Sequence, residues 1–233
     1  TGASVDSGSL GGMTRSVEAV MGDTDARDVC VFCPEQLSDS SSDFDQAIAT
    51  HSEGVIIPAL GMMVPGYFLA VTKRHARSLS ELPSPELASF YEWAAERCRE
   101  WSPLFGEYFI VEHGSCPGSK SGSCIDHAHL HLVPLAIEVG AAILNGRDVI
   151  WRDLPGVEDL SGLRGRGYVS IYLQDQLFVA DDVRLPSQWL RRVIAKELGL
   201  PVWDWALEYG RPQLSATMRS LAVGAITSMV AIP

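Results

Sequence analysis

Three histidines stand at alternate positions in His127-Ala128-His129-Leu130-His131, half of the six in this 233-residue chain. The residues around them, Ile125, Ala128, Leu130, Leu132, Val133 and Leu135, are apolar, so the run reads as a half-buried strand. Side chains alternate faces along a strand, which puts all three imidazoles on one side while Ala128, Leu130 and Leu132 pack inward. Rings this close cannot all be protonated without repulsion. Two chemistries use neutral imidazoles grouped in this way: a metal site, or nucleophilic attack by one ring whose neighbours bind an anion. The bland alternative is a polar strand face with incidental histidines. The shared spacing of half the chain's histidines argues against it.

A second pattern is Cys30-Val31-Phe32-Cys33, the spacing at which two thiolates can bind one metal, although two buried cysteines near a turn would look the same. Cys98 falls on the apolar face of a helical pattern and reads as packing, and Cys116 as a loop thiol. His51 sits in a polar loop and is expected to be solvated. Arg191 and Arg192 have the reach to hold a phosphate, but a charge pair on a helix is usually a solvated face.

Positioning these groups requires a scaffold. Residues 36–46 read as a solvated loop. Val55–Pro58 and Tyr67–Thr72 read as strands joined through Pro65-Gly66, and Tyr108–Val111 as another. Ser84-Pro85-Glu86 starts a helix, with Ser84 as its cap. Leu87, Phe90, Tyr91, Ala94, Ala95 and Cys98 carry the helix to about Trp101 at helical spacing. A Gly/Ser-rich loop from Gly114 to Ser123 leads into the histidine strand. Residues 136–166 are mixed loop and strand, and 168–174 with 177–180 form a hairpin around Asp175-Gln176. Ser187 then caps a helix bearing Trp189, Leu190, Val193 and Ile194, with Arg191, Arg192 and Lys196 on its polar side. Antiparallel strands covered by one long helix give an α+β class.

Composition narrows the function. The hydrophobic fraction of 46% and charged fraction of 20% are those of an ordinary soluble globular chain. No apolar run reaches the ~20 residues of a membrane helix; the tail from Leu221 to Pro233 is too short and contains Gly224, Thr227 and Ser228. A net charge of −11 disfavours broad nucleic-acid binding but leaves room for a small anion held by local groups. Five cysteines, an odd number, with no visible signal peptide, point to a reducing, cytoplasmic setting rather than a disulfide framework. Residues 1–12 are small and polar, and Met13 reads as the native start, with the preceding stretch a remnant or flexible arm.

In this order the residues resemble the histidine triad (HIT) superfamily of nucleotide hydrolases and transferases. Its motif, His-φ-His-φ-His-φ-φ with φ apolar, is matched throughout 127–133. Val64-Pro65-Gly66-Tyr67-Phe68-Leu69-Ala70-Val71-Thr72-Lys73-Arg74-His75 looks like the family's second strand and its closing histidine. Val111-Glu112-His113-Gly114 and the loop with Gly122 look like the approach to the triad. The resemblance implies a HIT-like antiparallel sheet with a long covering helix over 28–136. A flexible segment over 1–27 would precede it, and a C-terminal hairpin-helix elaboration over 137–233 would pack on it.

The implied activity is hydrolysis or transfer at a nucleotide phosphate through a covalent phosphoramidate on His129. His131 would assist, and Glu112, His113, Gly122, Ser123 and Cys124 would surround the phosphate. Zinc-containing members combine a C-x2-C pair with the histidine closing the second strand and the first triad histidine. That implies a structural Cys2His2 zinc on Cys30, Cys33, His75 and His127. The substrate would be a small nucleotide or nucleotide conjugate and the assembly a homodimer paired through the long helix and a sheet edge, the Leu87, Phe90, Tyr91 and Trp93 surface being broad enough to serve both a core and a partner. His131 at the third position leans towards hydrolase, because the uridylyltransferase branch has glutamine there. Three departures stand out: Tyr67 replaces a histidine common after Pro-Gly, Ala59 lies where many members carry an acid or asparagine for the ribose, and the region after about Leu135 lies outside the core motif, where it would shape substrate choice or a dimer interface. Two other functions stay open, a nucleotide binder without turnover and a catalytic zinc enzyme using all three triad histidines.

Overall fold

The computed structural model describes residues 30–118, 120–123, 125–146 and 149–230. The N-terminal segment read as an arm and Cys124 lie outside the described residues. The class is α+β, an eight-stranded sheet with helices on both faces. Its strands are β1 (Ala49–Thr50), β2 (Gly54–Pro58), β3 (Phe68–Thr72), β4 (Tyr108–Gly114), β6 (His129–Pro134), β7 (Arg152–Leu154), β8 (Tyr168–Leu173) and β9 (Gln176–Asp181). They lie in the order β1-β2-β3-β6-β4-β8-β9-β7, every neighbouring pair antiparallel. Strands from before and after residue 136 therefore share one sheet, with β4 paired to β6 on one side and β8 on the other. A small parallel pair joins β5 (Lys120–Ser121) to β10 (Arg184–Leu185).

The histidine strand lies between β3 and β4, and its register fixes what shares each face. Val71 opposes His129, and Leu69 opposes His131, which in turn opposes Val111. Directly opposed residues share a face, so the imidazoles rise among the side chains of one core, with Phe32, Ile57, Leu69, Val71, Val111, Ile171, Trp189 and Leu190. On the other face Ala128, Leu130 and Leu132 pack with Leu87, Phe90, Tyr91 and Ala94 of α2 (Ser84–Phe105). That alternation is the one the sequence predicts.

α2 runs beyond Trp101, through Pro103, and stops where Gly106 adopts φ 97°, a left-handed conformation that glycine takes without a Cβ clash. Ser84 is its first residue and not its cap: Pro83 takes that place with no side-chain bond. The Leu87, Phe90, Tyr91 and Trp93 surface, expected to serve a partner, is buried within this chain.

Other expectations are corrected by burial. Within 36–46, α1 (Pro34–Ser38) is followed by a 3-10 turn, Asp43–Asp45, that buries Phe44. The stretch after 136 opens with α3 (Ile137–Leu144), and the apolar tail is part of α5 (Arg211–Val230). No helix among the described residues is long and apolar enough to cross a membrane. Thr217 of α5 is fully buried and accepts a 2.8 Å hydrogen bond from the Gly66 amide, fastening the last helix to the turn before β3. The hairpin turn is Gln174-Asp175, with φ of 51° and 60°, one residue earlier than expected. That is the left-handed pair a two-residue turn needs to match strand twist. His51 is stacked on Trp93 at 5.1 Å.

α4 (Trp189–Glu197) is preceded by Gln188, not Ser187, as its cap, at φ 58° and ψ 30° with no side-chain cap bond. This sparsely populated backbone is held by Gln188 N donating to Gly122 O at 3.0 Å. Arg191, expected on the polar side, is only 6% exposed, and Arg192 lies over the Trp203 ring at 3.7 Å.

Candidate active site

β6 begins at His129. His127 sits in the bend before it, because Ala128 bonds irregularly to Ala76 O at 2.6 Å and to the Thr72 amide at 3.2 Å. The His127 ring meets His75 at 5.1 Å, with Cys30 and Thr72 at its two nitrogens. Its Nε2 donates to Thr72 O at 2.7 Å, which leaves Nδ1 as the ligating nitrogen, 3.2 Å from Cys30 Sγ. His75 Nδ1 lies 3.4 Å from Cys33 Sγ. The donor atoms of Cys30, Cys33, His75 and His127 all fall within 4.8 Å of one another. Burial and the adjacent Cys30 push the Cys33 thiol up to about 11. A divalent cation at this point reverses that balance and favours both thiolates.

The other two triad rings take opposite tautomers. His129 Nδ1 is 2.6 Å from His127 O. A carbonyl only accepts, so Nδ1 carries the hydrogen and Nε2 keeps its lone pair. His131 Nδ1 is 2.8 Å from the hydroxyl of the fully buried Tyr67. A phenol is a good donor and an imidazole sp2 nitrogen a good acceptor, so Tyr67 donates and His131 Nε2 carries the hydrogen. An acceptor and a donor thus stand side by side, with ring centroids 5.0 Å apart.

His113 adds a third ring, 5.6 Å from His131 and perpendicular to it. Its Nδ1 donates to Ser121 O at 2.7 Å, which makes it a second Nε2 acceptor. All three rings are held neutral at physiological pH. Burial lowers His129 and His113 to about 4, and burial together with the neighbouring charges of His129, His113 and Arg191 lowers His131 well below its ordinary value.

The surrounding residues are placed as follows. Gly122 has φ 89°, and a Cβ there would lie 3.0 Å from His113 Nδ1 and 3.2 Å from Trp189 Cβ, so the loop passes this close only as glycine. Ser123 turns its hydroxyl onto Ile125 O at 2.8 Å, shaping the loop. Glu112 is corrected: it opposes Leu130, so it points to the far face of the sheet. There its carboxylate accepts from the Leu79 amide at 2.7 Å and the Tyr168 hydroxyl at 2.6 Å. Strand alternation makes it impossible for Glu112 and His113 to face the same pocket.

Three neighbours were not expected from the sequence. Phe32, inside the C-x2-C pair, packs edge-on to His129 at 5.2 Å. Trp189 packs edge-on to His113 at 6.0 Å. Arg191 is buried beside the β2–β3 connection, donating from Nη2 to Gly61 O and from Nε to Trp203 O at 2.7 Å. The reach of Arg191 to a phosphate is legible in advance, but its burial is signalled only by its apolar setting, Trp-Leu-Arg. Phe32 also lines a cleft of about 290 Å³, together with Leu37, Val55 and Ile57 and with Asp45 and Lys73 among its polar residues; no triad histidine lines it.

No protein-family model matches the sequence, nor does any curated protein. Solved structures align with the chain in part. A HIT family hydrolase from Clostridium thermocellum aligns at 18% identity over 48% of this chain and 94% of that one, TM-score 0.38. The yeast Ap4A phosphorylase, solved with AMP, aligns at 19% identity over 59% of each chain, TM-score 0.38. A uridylyltransferase aligns at 13% identity over 87% of this chain and 94% of that one, TM-score 0.42. These similarities are partial, and the reading of the site rests on the chain's own geometry.

Proposed function

We propose that this chain hydrolyses or transfers at a nucleotide phosphate, with His129 as the nucleophile. The observation that carries the reading is the His129 Nδ1 to His127 O bond of 2.6 Å, which presents a neutral Nε2 lone pair to the pocket. In the first step that lone pair forms a P–N bond while the P–O bond to the leaving group breaks. The departing oxygen takes the electron pair and leaves as an anion, to which His131 Nε2–H donates a hydrogen bond while keeping its proton. Nδ1–H of the now cationic His129 stays bonded to His127 O, which stabilises the adduct. Water then attacks phosphorus, the P–N pair returns to His129 Nε2, and the proton released by water leaves on the phosphate product or to solvent. An acceptor alcohol or phosphate in place of water would make the same chemistry a transfer. The apolar walls of the cleft by Phe32 suit a flat base.

Cys30, Cys33, His75 and His127 fit a structural zinc. Two sulfurs and two imidazole nitrogens fill a tetrahedron, and the His127 Nε2 bond to Thr72 O fixes the ligating tautomer in the way metal-bound histidines are usually fixed. Such an ion, when bound, would supply rigidity, tying the Cys30–Cys33 turn and Phe32 to the triad. A catalytic zinc on all three triad histidines is disfavoured because His127 faces the cysteines and His129 Nδ1 is engaged. A homodimer, implied by the resemblance, would have to use a surface other than the buried face of α2.

The test is turnover of a mixed nucleotide panel with acid and base quenching. An adduct at residue 129 stable to base and lost in acid supports the reading. A bound nucleotide with neither turnover nor adduct would leave only a nucleotide-binding role.

A further inference from the structure

Arg191 stands out once the triad and the zinc cluster are set aside. It is 6% exposed, and no carboxylate lies within ion-pair distance among the described residues. Asp204, the acid that feels its charge, accepts instead from Gln188 Nε2 at 3.1 Å and the Ala206 amide at 3.0 Å. The guanidinium uses Nε and Nη2 on the carbonyls of Trp203 and Gly61. Its Nη1 meets no acceptor among the described residues, yet is not sealed from solvent. Enclosing a cation with neutral acceptors only is costly unless an anion completes it. A planar guanidinium with a free edge is the group best shaped to receive a phosphate.

Its location gives the anion a place. Phe32, which packs edge-on to His129 at 5.2 Å, marks one end of the site. Moving along β3 and β6, Val71 opposes His129 and Leu69 opposes His131, and Tyr67 follows with its backbone paired to Ala59 at 3.1 Å. Two residues on is Gly61, whose carbonyl Arg191 holds. His129, His131, Tyr67 and the Gly61 carbonyl that Arg191 holds thus follow one another along the strands. Arg191 also bears electrostatically on His131.

We propose that Arg191 binds a second anionic group of the substrate, on the His131 side of the reacting phosphate. The favoured class is then a pyrophosphate-linked nucleotide, whose leaving group is itself a phosphate, over a nucleotide joined to an uncharged alcohol or amine. This rests on the nucleotide reading of the triad for its orientation, but the anion site stands on Arg191 alone.

The experiment is calorimetric titration of the full-length protein with ADP, UDP, GDP and CDP, each against its monophosphate, and with inorganic pyrophosphate as a base-free probe. In the wild type the best diphosphate should bind at least tenfold more tightly than its monophosphate. Arg191→Met should bring that ratio close to one while the monophosphate affinity stays within about threefold. Arg191→Lys, which keeps the charge without the fork, should be intermediate and covers the case in which the methionine variant does not fold. An unchanged ratio in either folded variant, or a wild-type ratio near one, overturns the proposal. If no nucleotide binds but pyrophosphate binds in an Arg191-dependent way, the anion site stands and the nucleotide reading falls. If neither nucleotide nor pyrophosphate binds, or pyrophosphate alone binds regardless of residue 191, the anion site is refuted.

Discussion

Tyr67 and His131 share a 2.8 Å hydrogen bond that sets the neighbouring histidine to the tautomer opposite to that of His129. The residue that departs from the resembled family is therefore the one that decides which nitrogen of His131 faces the pocket. Tyr67→Phe keeps the ring and removes the hydroxyl. Turnover should fall about tenfold, the order of one buried hydrogen bond. The 15N spectrum of His131 should change from the Nε2–H tautomer to a mixture. An unaltered spectrum would show that Tyr67 only packs.

Loss of the nucleophile is more severe. His129→Ala should lower turnover by several orders of magnitude, as removal of a nucleophile does, and abolish the acid-labile adduct. The melting temperature should hold within a few degrees, because the apolar face of β6 and the four cysteine and histidine donors are untouched. Retained activity in this variant, with a dead His131→Ala, would move the nucleophile to His131.

Zinc should be found at about one ion per chain, and Cys30→Ser should lose it. Removal by a chelator should lower the melting temperature by on the order of 10 °C, as for a loss of about 3 kcal/mol. Activity should fall only as the triad strand loosens. Native protein with no zinc by elemental analysis would refute the ion.

Glu112 gives the pH dependence of stability. Burial raises its carboxyl to about 7, against the hydrogen bonds from Tyr168 and Leu79 that favour ionisation. The folded chain therefore binds this proton more tightly than the unfolded one. Its contribution is complete below about 4.5 and is lost as pH rises through about 7, on the order of 3 kcal/mol. Glu112→Gln, neutral throughout, should gain stability relative to the wild type between pH 5 and 8 in denaturant titrations. A constant difference across that range would contradict the buried carboxyl.

The strands, α2 and both chemical clusters were legible because each has a local signature: alternation for β6, helical spacing for Leu87 to Cys98, ligand spacing for Cys30 and Cys33. α5 was not, since its residues carry almost no periodic contrast between faces. Arg191 was misplaced because helical periodicity says which residues are polar but not that two carbonyls, Gly61 and Trp203, await one of them. Glu112 was misplaced by following a motif across adjacent residues, where strand geometry forces neighbours apart. Tyr67 was noticed as a departure, but its partner could be found only once β3 and β6 were in register.

The bond between Thr217 and the Gly66 amide means that the ribosome delivers His129 long before it delivers the latch for the turn leading to Tyr67. A nascent chain emerging as far as β6 already owns its reactive imidazole. It lacks α4 with Arg191, and it lacks the helix that anchors the turn in front of Tyr67. A chain stopped before α5 would carry all three triad histidines with the turn before Tyr67 unfastened.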